Sequence, residues 1–386
     1  MTDLRRVAVA LAGFCAFVNL YAPQAVLPLM AREFQASAVK VSTALTASTL
    51  AVALIAPFSG AAADVLGRKR VIAVAMAVLV VPTAMVALAP DLPSLIFWRF
   101  VQGLALPPIF VVTVAYMGEE WPASQVVGVT GTYLSATSFG GFFGRFITGV
   151  VADLADWRRA FLALAALTAV QAIGVALLLP KERRFVRSAG IIAAVRQMFG
   201  HLRNARLVAT YAIGFGVLFT FMSIFTYISF YLAAPPFDLS PTLLGTLFVV
   251  YLAGAAVTPL TGRLVARFGR RPLSIGVIAV WIGGLLLSLV PSIAVIVVGL
   301  TVCAAAGFLC QALSTSFVAV TARTGASSAV GLYVSSYYVG GSAGSLLPGL
   351  AWNAAGWPGC VALTAAVLLA MAATVWFWWG EPPGRR

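Results

Sequence analysis

The chain has 386 residues, of which 61% are hydrophobic and 9% charged; an average soluble domain carries roughly 25% charged residues. A soluble fold of this size needs a polar skin that 25 basic and 11 acidic residues cannot supply, so the composition points to lipid as the solvent, and the mean hydropathy of +1.00 agrees. The net charge of +14 sits in short clusters between apolar runs rather than along one face. That pattern argues against a nucleic-acid partner and for loop charge that sets membrane topology.

A helix crossing the hydrocarbon layer needs about 20 mainly apolar residues. Twelve segments meet this: 7–30, 41–64, 71–90, 94–117, 124–151, 157–180, 207–233, 241–265, 272–291, 293–318, 326–350 and 357–379. They are too long, and too apolar on every face, to be the alternating strands of a barrel. The first run follows Arg5 and Arg6, as a signal peptide does, but it is long, shows no clear cleavage pattern and is followed by many more such runs, so it reads as a retained span.

Polar residues inside the spans are the candidates for function. The first span offers Asn19 and Gln24, and no carboxylate. The second ends in Gly60-Ala-Ala-Ala-Asp64-Val-Leu-Gly67-Arg68-Lys69-Arg70. Gly60 is expected to let a neighbouring helix approach closely, and Gly67 to permit a tight turn. Asp64, a carboxylate at the membrane edge, needs a cation or the positive N-terminus of a helix, which the start of the eleventh span offers. Lys69 and Arg70 read as topology charge.

The fourth span carries Arg99-Phe-Val-Gln102-Gly103, then Pro107 and Pro108. Arginine in hydrocarbon is costly and functional by default. A guanidinium keeps its proton, so Arg99 either tunes a carboxylate, holds an anionic group or snorkels to the outer interface. The fifth span carries Gly140-Gly141-Phe-Phe-Gly144-Arg145; its glycines allow close packing, and Arg145 adds a second intramembrane cation with Asp153 or Asp156 as candidate partners. Two arginines and no acid suit a neutral, sugar-like or anionic solute better than a lipophilic cation. Hydroxyls, rings and amides collect on the seventh, tenth and eleventh spans, where Tyr227, Gln311 and Tyr337 join Asn19 and Gln24 as substrate-cavity candidates. They serve equally as bonds between helices.

The stretch 181–206 holds seven basic residues and Glu182, and its Ile191–Leu202 part is spaced either as an amphipathic interfacial helix or as a plain linker. With the N-terminus inside, 19 of the 25 basic residues fall on the inner side and four on the outer, Arg99 and Arg145 being within spans. That bias supports twelve spans with both termini cytoplasmic. The chain then divides into a six-helix bundle at 1–180, a cytoplasmic central loop at 181–206 and a second six-helix bundle at 207–386.

The halves repeat. Pro57, Gly60, Gly67 and Arg68 recur as Pro259, Gly262, Gly269 and Arg270, and Gly131, Tyr133, Gly140, Gly144 and Trp157 recur as Gly331, Tyr333, Gly340, Gly344 and Trp357. An even number of intervening spans makes this a parallel repeat, an arrangement that places a substrate site near the midplane of a transporter.

The segment from Gly60 to Arg70 matches the Gly-x-x-x-Asp-x-x-Gly-Arg-Lys/Arg motif of the major facilitator superfamily, which the chain resembles over its whole length. The resemblance implies the all-α integral membrane fold of twelve transmembrane helices, and a gating role for Gly60, Asp64, Gly67 and Arg68 as a latch on the inner side. Ala266 replaces Asp64 in the second half, which makes the latch one-sided. Arg99-x-x-Gln102-Gly103 resembles the signature of proton-driven exporters in the drug:proton antiporter and sugar-efflux branch, and implies a coupling role for Arg99, Gln102 and Arg145. The glycine motif of the antiporters lacks its proline here, which weakens export.

The expected function is secondary active transport of a small solute by alternating access, as proton-coupled export from a monomer in a bacterial-type cytoplasmic (inner) membrane. The alternatives are proton-coupled uptake of a sugar-like or organic-anion solute, or a non-transport protein such as a lipid scramblase or sensor. The chain has no Gly-x-x-x-x-Gly-Lys-Ser/Thr loop for ATP and no clustered nucleophile and base, so neither an ATP-driven pump nor an enzyme is expected. No cofactor and no metal are expected, because Cys15, Cys303, Cys310 and Cys360 lie unpaired in apolar runs and His201 stands alone.

Overall fold

The computed structural model describes residues 4–182, 200–322 and 326–380; most of the Ile191–Leu202 stretch, read as an interfacial helix or a linker, lies outside them. Regular structure among the described residues is helical. Helix α1 (Leu4–Tyr21) runs into a 3-10 turn (Ala22–Ala25) and a short α2 (Leu27–Glu33). Then come α3 (Ala38–Leu66), α4 (Arg68–Ala87), α5 (Leu92–Glu120), α6 (Ala123–Leu154) and α7 (Trp157–Leu178). The second half has α8 (Ala205–Leu232), the segmented α9 (Pro241–Thr246), α10 (Tyr251–Val257) and α11 (Thr261–Phe268), then α12 (Arg270–Leu287), α13 (Ile293–Thr321), α14 (Ala326–Leu346) and α15 (Pro348–Trp378).

Among the described residues, ten of the twelve expected spans are long and apolar enough to cross a membrane. The other two, α6 and α14, are helices of 32 and 21 residues whose serines, threonines and glycines dilute their apolar content. They are the two spans with the densest repeat identities. Local sequence sets the starts: Asp91 and Asp156 accept the Ser94 and Arg159 backbone N–H groups at 2.8 and 2.7 Å, capping α5 and α7. Proline acts unequally. Helices α3 and α5 run unbroken through Pro57 and through Pro107 and Pro108, whereas at Pro259 the eighth span tightens into a 3-10 turn over Thr258–Leu260.

Contacts divide the chain into two compact units, one of residues 1–191 with 232–248 and one of residues 192–231 with 249–386. The boundary meets the eighth span in the 3-10 stretch Leu247–Val250. Within the first unit, Gly140 and Gly144 of α6 lie against the Phe14 and Val18 carbonyls of α1, too close for any Cβ. Within the second, Gly340 and Gly344 of α14 lie the same way against the Phe215 and Phe219 carbonyls of α8. Tyr133 covers Gly13 in one unit and Tyr333 covers Gly214 in the other. The sequence repeat is thus a repeat of helix packing, set by small residues that let backbones touch.

Candidate functional site

The interior of the first unit holds a polar network built on α5. Arg99 is fully buried. A guanidinium has five N–H donors, and here each has an acceptor. Nε donates to the Ala44 carbonyl at 3.4 Å, Nη1 to the Asn19 carbonyl at 3.1 Å and to Gln102 Oε1, and Nη2 to the Leu20 carbonyl at 2.6 Å and Ser48 Oγ at 2.9 Å. None of these acceptors is a carboxylate. Asn19 and Leu20 sit in the last turn of α1, whose carbonyls lack intrahelical partners and carry the negative end of the helix dipole. The cation is therefore compensated by a helix end, not by an acid. Arg99 does not snorkel: its side chain points into the bundle.

Gln102 extends the network. Its Nε2 donates to Asn19 Oδ1 at 3.1 Å and Thr83 Oγ1 at 2.8 Å, and Asn19 Nδ2 donates to Thr168 Oγ1 at 2.9 Å. Five helices (α1, α3, α4, α5 and α7) are joined through side chains that are all fully buried.

Arg145 on α6 forms a second centre. It is 1% exposed, and its Nε donates to Gln24 Oε1 at 2.6 Å and its Nη1 to the Gly141 carbonyl. The guanidinium lies 4.8 Å from the Tyr21 ring and 4.3 Å from the Phe248 ring, a cation held between two aromatic faces. Asp153 and Asp156 are not among these partners. Asp153 Oδ2 accepts the Thr242 backbone N–H at 3.2 Å, and Asp156 caps α7. Both carboxylates are taken by helix starts, which offer aligned N–H donors.

At the charged end of the same unit, Arg68 begins α4 and bridges two carboxylates. Its Nη2 lies 2.5 Å from Asp64 Oδ1 and 2.7 Å from Glu119 Oε1, while Nε donates to Glu119 Oε2 at 3.2 Å. Gly67 has φ +92° and ψ 141°, a backbone region essentially confined to glycine. Glu182 Oε2 accepts the Lys69 N–H at 3.2 Å, placing a third carboxylate at the start of α4. Gly60 departs from expectation. A Cβ there would meet nothing within 4 Å, and its contribution is its carbonyl, which accepts from Arg68 Nη1 at 3.2 Å. The expected partner of Asp64, the start of the eleventh span at Ala326, belongs to the second unit. Glu119 was not singled out in the sequence, and Glu182 only as the one acid of the stretch 181–206. Their one signal is position: acids at the ends of apolar runs, on the side that carries the basic loops.

In the second unit the candidates separate. Tyr227 is fully buried and its hydroxyl donates to the Ser345 carbonyl at 2.9 Å. Gln311 and Tyr337 are half-buried. Each lies one turn from a hydroxyl pair between α13 and α14, Ser314 Oγ and Tyr333 Oη at 2.7 Å. Arg99 and Gln102 have no polar counterparts here: α5 and α13 are both 29 residues long, and the equivalent positions are Leu300 and Cys303.

A profile of the Major Facilitator Superfamily matches residues 9–248 and 214–386. The inner membrane transport protein YnfM of Escherichia coli (strain K12) is 31% identical over 370 residues, covering 94% of this chain and 88% of its own length. Two solved structures share the fold. One is the nucleoside transporter NupG, with TM-score 0.76, 14% identity, and coverage of 97% of this chain and 100% of its own. The other is the xylose transporter XylE of E. coli in a partially occluded inward-open conformation, with TM-score 0.75, 15% identity and full coverage of both chains. With its twelve helices in two repeats, this chain belongs to the Major Facilitator Superfamily and is a membrane transporter.

Proposed function

We propose that the chain is a secondary active transporter that exports a small neutral, sugar-like or anionic solute by alternating access, in exchange for protons. It works as a monomer in the cytoplasmic membrane with both termini inside. The observation that carries the solute class is the pair of buried guanidiniums, Arg99 and Arg145, in a unit whose described carboxylates all stand at helix ends or in connections. Two buried guanidiniums with no acid among them disfavour a lipophilic cation and leave a hydroxylated or anionic solute as the better fit. Gln311 and Tyr337, half-buried where Asn19 and Tyr227 are sealed, are the side chains assigned to touch the solute.

The same distribution of acids supports a site for coupling. Asp64 and Glu119 share Arg68, and protonating either one weakens its hold on the guanidinium that begins α4. Gly60, Asp64, Gly67 and Arg68 then act as the inner gate. Arg99, Gln102 and Arg145 fix the helices around which the gate works.

Purified protein in vesicles with an imposed pH gradient tests the reading. Proton movement is expected on addition of organic anions or sugars and not on addition of cationic dyes. Glu119→Gln is expected to abolish proton-driven transport while leaving solute exchange. Proton movement with cationic dyes alone would overturn the solute class, and undiminished proton-driven transport by both Glu119→Gln and Asp64→Asn would overturn the coupling site.

A further inference from the structure

The charged end of the second unit contains a cavity of about 1130 Å³, somewhat above the roughly 300–1,000 Å³ typical of ligand sites. Its polar lining includes Arg206, Arg270, Arg271 and His201, and its apolar wall includes Phe317 and Trp379. No carboxylate lines it among the described residues.

The arginines are unfavourably placed for a site with no anion. Arg206 stands in the first turn of α8, and Arg270 and Arg271 open α12; neither helix has an acidic residue in its first turn. Helix starts carry unpaired N–H groups and positive dipole charge, which favour anions and disfavour cations. Three guanidiniums thus face one cavity from two positive helix ends. Arg270 uses Nη1 on the Leu313 carbonyl at 2.8 Å and Ser316 Oγ at 2.6 Å. Arg271 Nε is buried with no hydrogen-bond partner.

Aromatic rings hold these cations in place. The Arg270 guanidinium lies 5.4 Å from the Phe317 ring, and that of Arg271 lies 4.1 Å from Trp376. Trp376 and Phe377 are 57% and 72% exposed, the placement of side chains that sit at a membrane–water interface. At the equivalent start of α4, Asp64, Glu119 and Glu182 supply the negative charge. In the second half Ala266 replaces Asp64, and Val320, which lines the cavity, stands at the position of Glu119.

We propose that this cavity binds a phosphate-bearing anion, whose oxygens answer Arg206, Arg270 and Arg271 as Asp64 and Glu119 answer Arg68 in the first unit. Guanidinium forks match phosphate oxygens in pairs. A phosphate presented by an anionic lipid headgroup and one on a soluble molecule would meet the same three forks. The inference is independent of solute and direction.

Native mass spectrometry of the full chain in detergent tests it, with phosphatidylglycerol, phosphatidylcholine and inorganic phosphate as probes. Phosphatidylglycerol is expected to be retained at about one tenth the concentration needed for phosphatidylcholine. The double variant Arg270→Gln/Arg271→Gln should remove that preference, while Arg159→Gln, on an exposed side chain elsewhere, keeps it. Val320→Glu, which leaves the arginines in place and adds a carboxylate to the wall, should also reduce retention about tenfold. Binding of inorganic phosphate, lost in the same variants, without a lipid preference would assign the site to a soluble ligand. Equal retention of both lipids together with no phosphate binding, or a preference unchanged in both variants, would overturn the proposal. Should neither variant fold, the comparison of probes on the unaltered chain decides.

Discussion

The starts of α4 and α12 are the same turn in two electrical environments. Each follows a glycine of positive φ, Gly67 at +92° and Gly269 at +78°, and each opens with an arginine. At α4 the arginine bridges Asp64 and Glu119, and Glu182 closes over the helix start. At α12 the arginine finds a carbonyl and a hydroxyl, and beside it lies a cavity lined with further cations. Duplication preserved the backbone because steric rules fix the turn. Charge was free to diverge because each acid is contributed by a different segment. The first turn sets its arginine against carboxylates; the second leaves its arginine to neutral acceptors.

Removing the arginines should break this comparison most visibly. Arg68→Ala leaves two carboxylates without their cation and is expected to cost about 2–3 kcal/mol in detergent unfolding, against about 1 kcal/mol for Arg270→Ala, which loses neutral acceptors and a ring contact. Equal losses would mean that the carboxylates are better solvated than their geometry implies. Next come the glycines: Gly67→Ala and Gly269→Ala should each cost about 1–3 kcal/mol through backbone strain. Gly67→Ala should be the worse of the two, because its Cβ also meets the Glu182 carboxylate. A smaller gain, up to about 1 kcal/mol, is expected from Val320→Glu as an ion pair with Arg270, which transplants the first environment into the second. Smallest is Ser316→Ala, with a loss of about 0.5–1 kcal/mol for one partly buried hydrogen bond. Melting temperatures of the purified variants, taken in one detergent and at one salt concentration, rank all six.

Much of the architecture was legible in the residues. Apolar runs of span length identified the helices, because lipid forces each crossing to satisfy its own backbone. Gly140 and Gly144 were legible as packing residues, and the structure puts a neighbouring backbone against each. Asp64 and Arg68 were legible as a motif and do pair. Less of the site could be read. Arg99 stood out as a cation in hydrocarbon, but three of its five acceptors are backbone carbonyls, which leave no mark in a sequence. Arg145 was paired in expectation with nearby acids, yet it lies between Tyr21 and Phe248, each more than a hundred residues away in the chain.

By itself, then, the sequence determined the solvent, the number of crossings and the places where backbones approach or turn, since hydropathy, helix length and the steric freedom of glycine are local properties. Which groups answer each buried charge was decided only in three dimensions. Electrostatic compensation depends on distance in space, and here it draws on helix ends, ring faces and acids from remote segments.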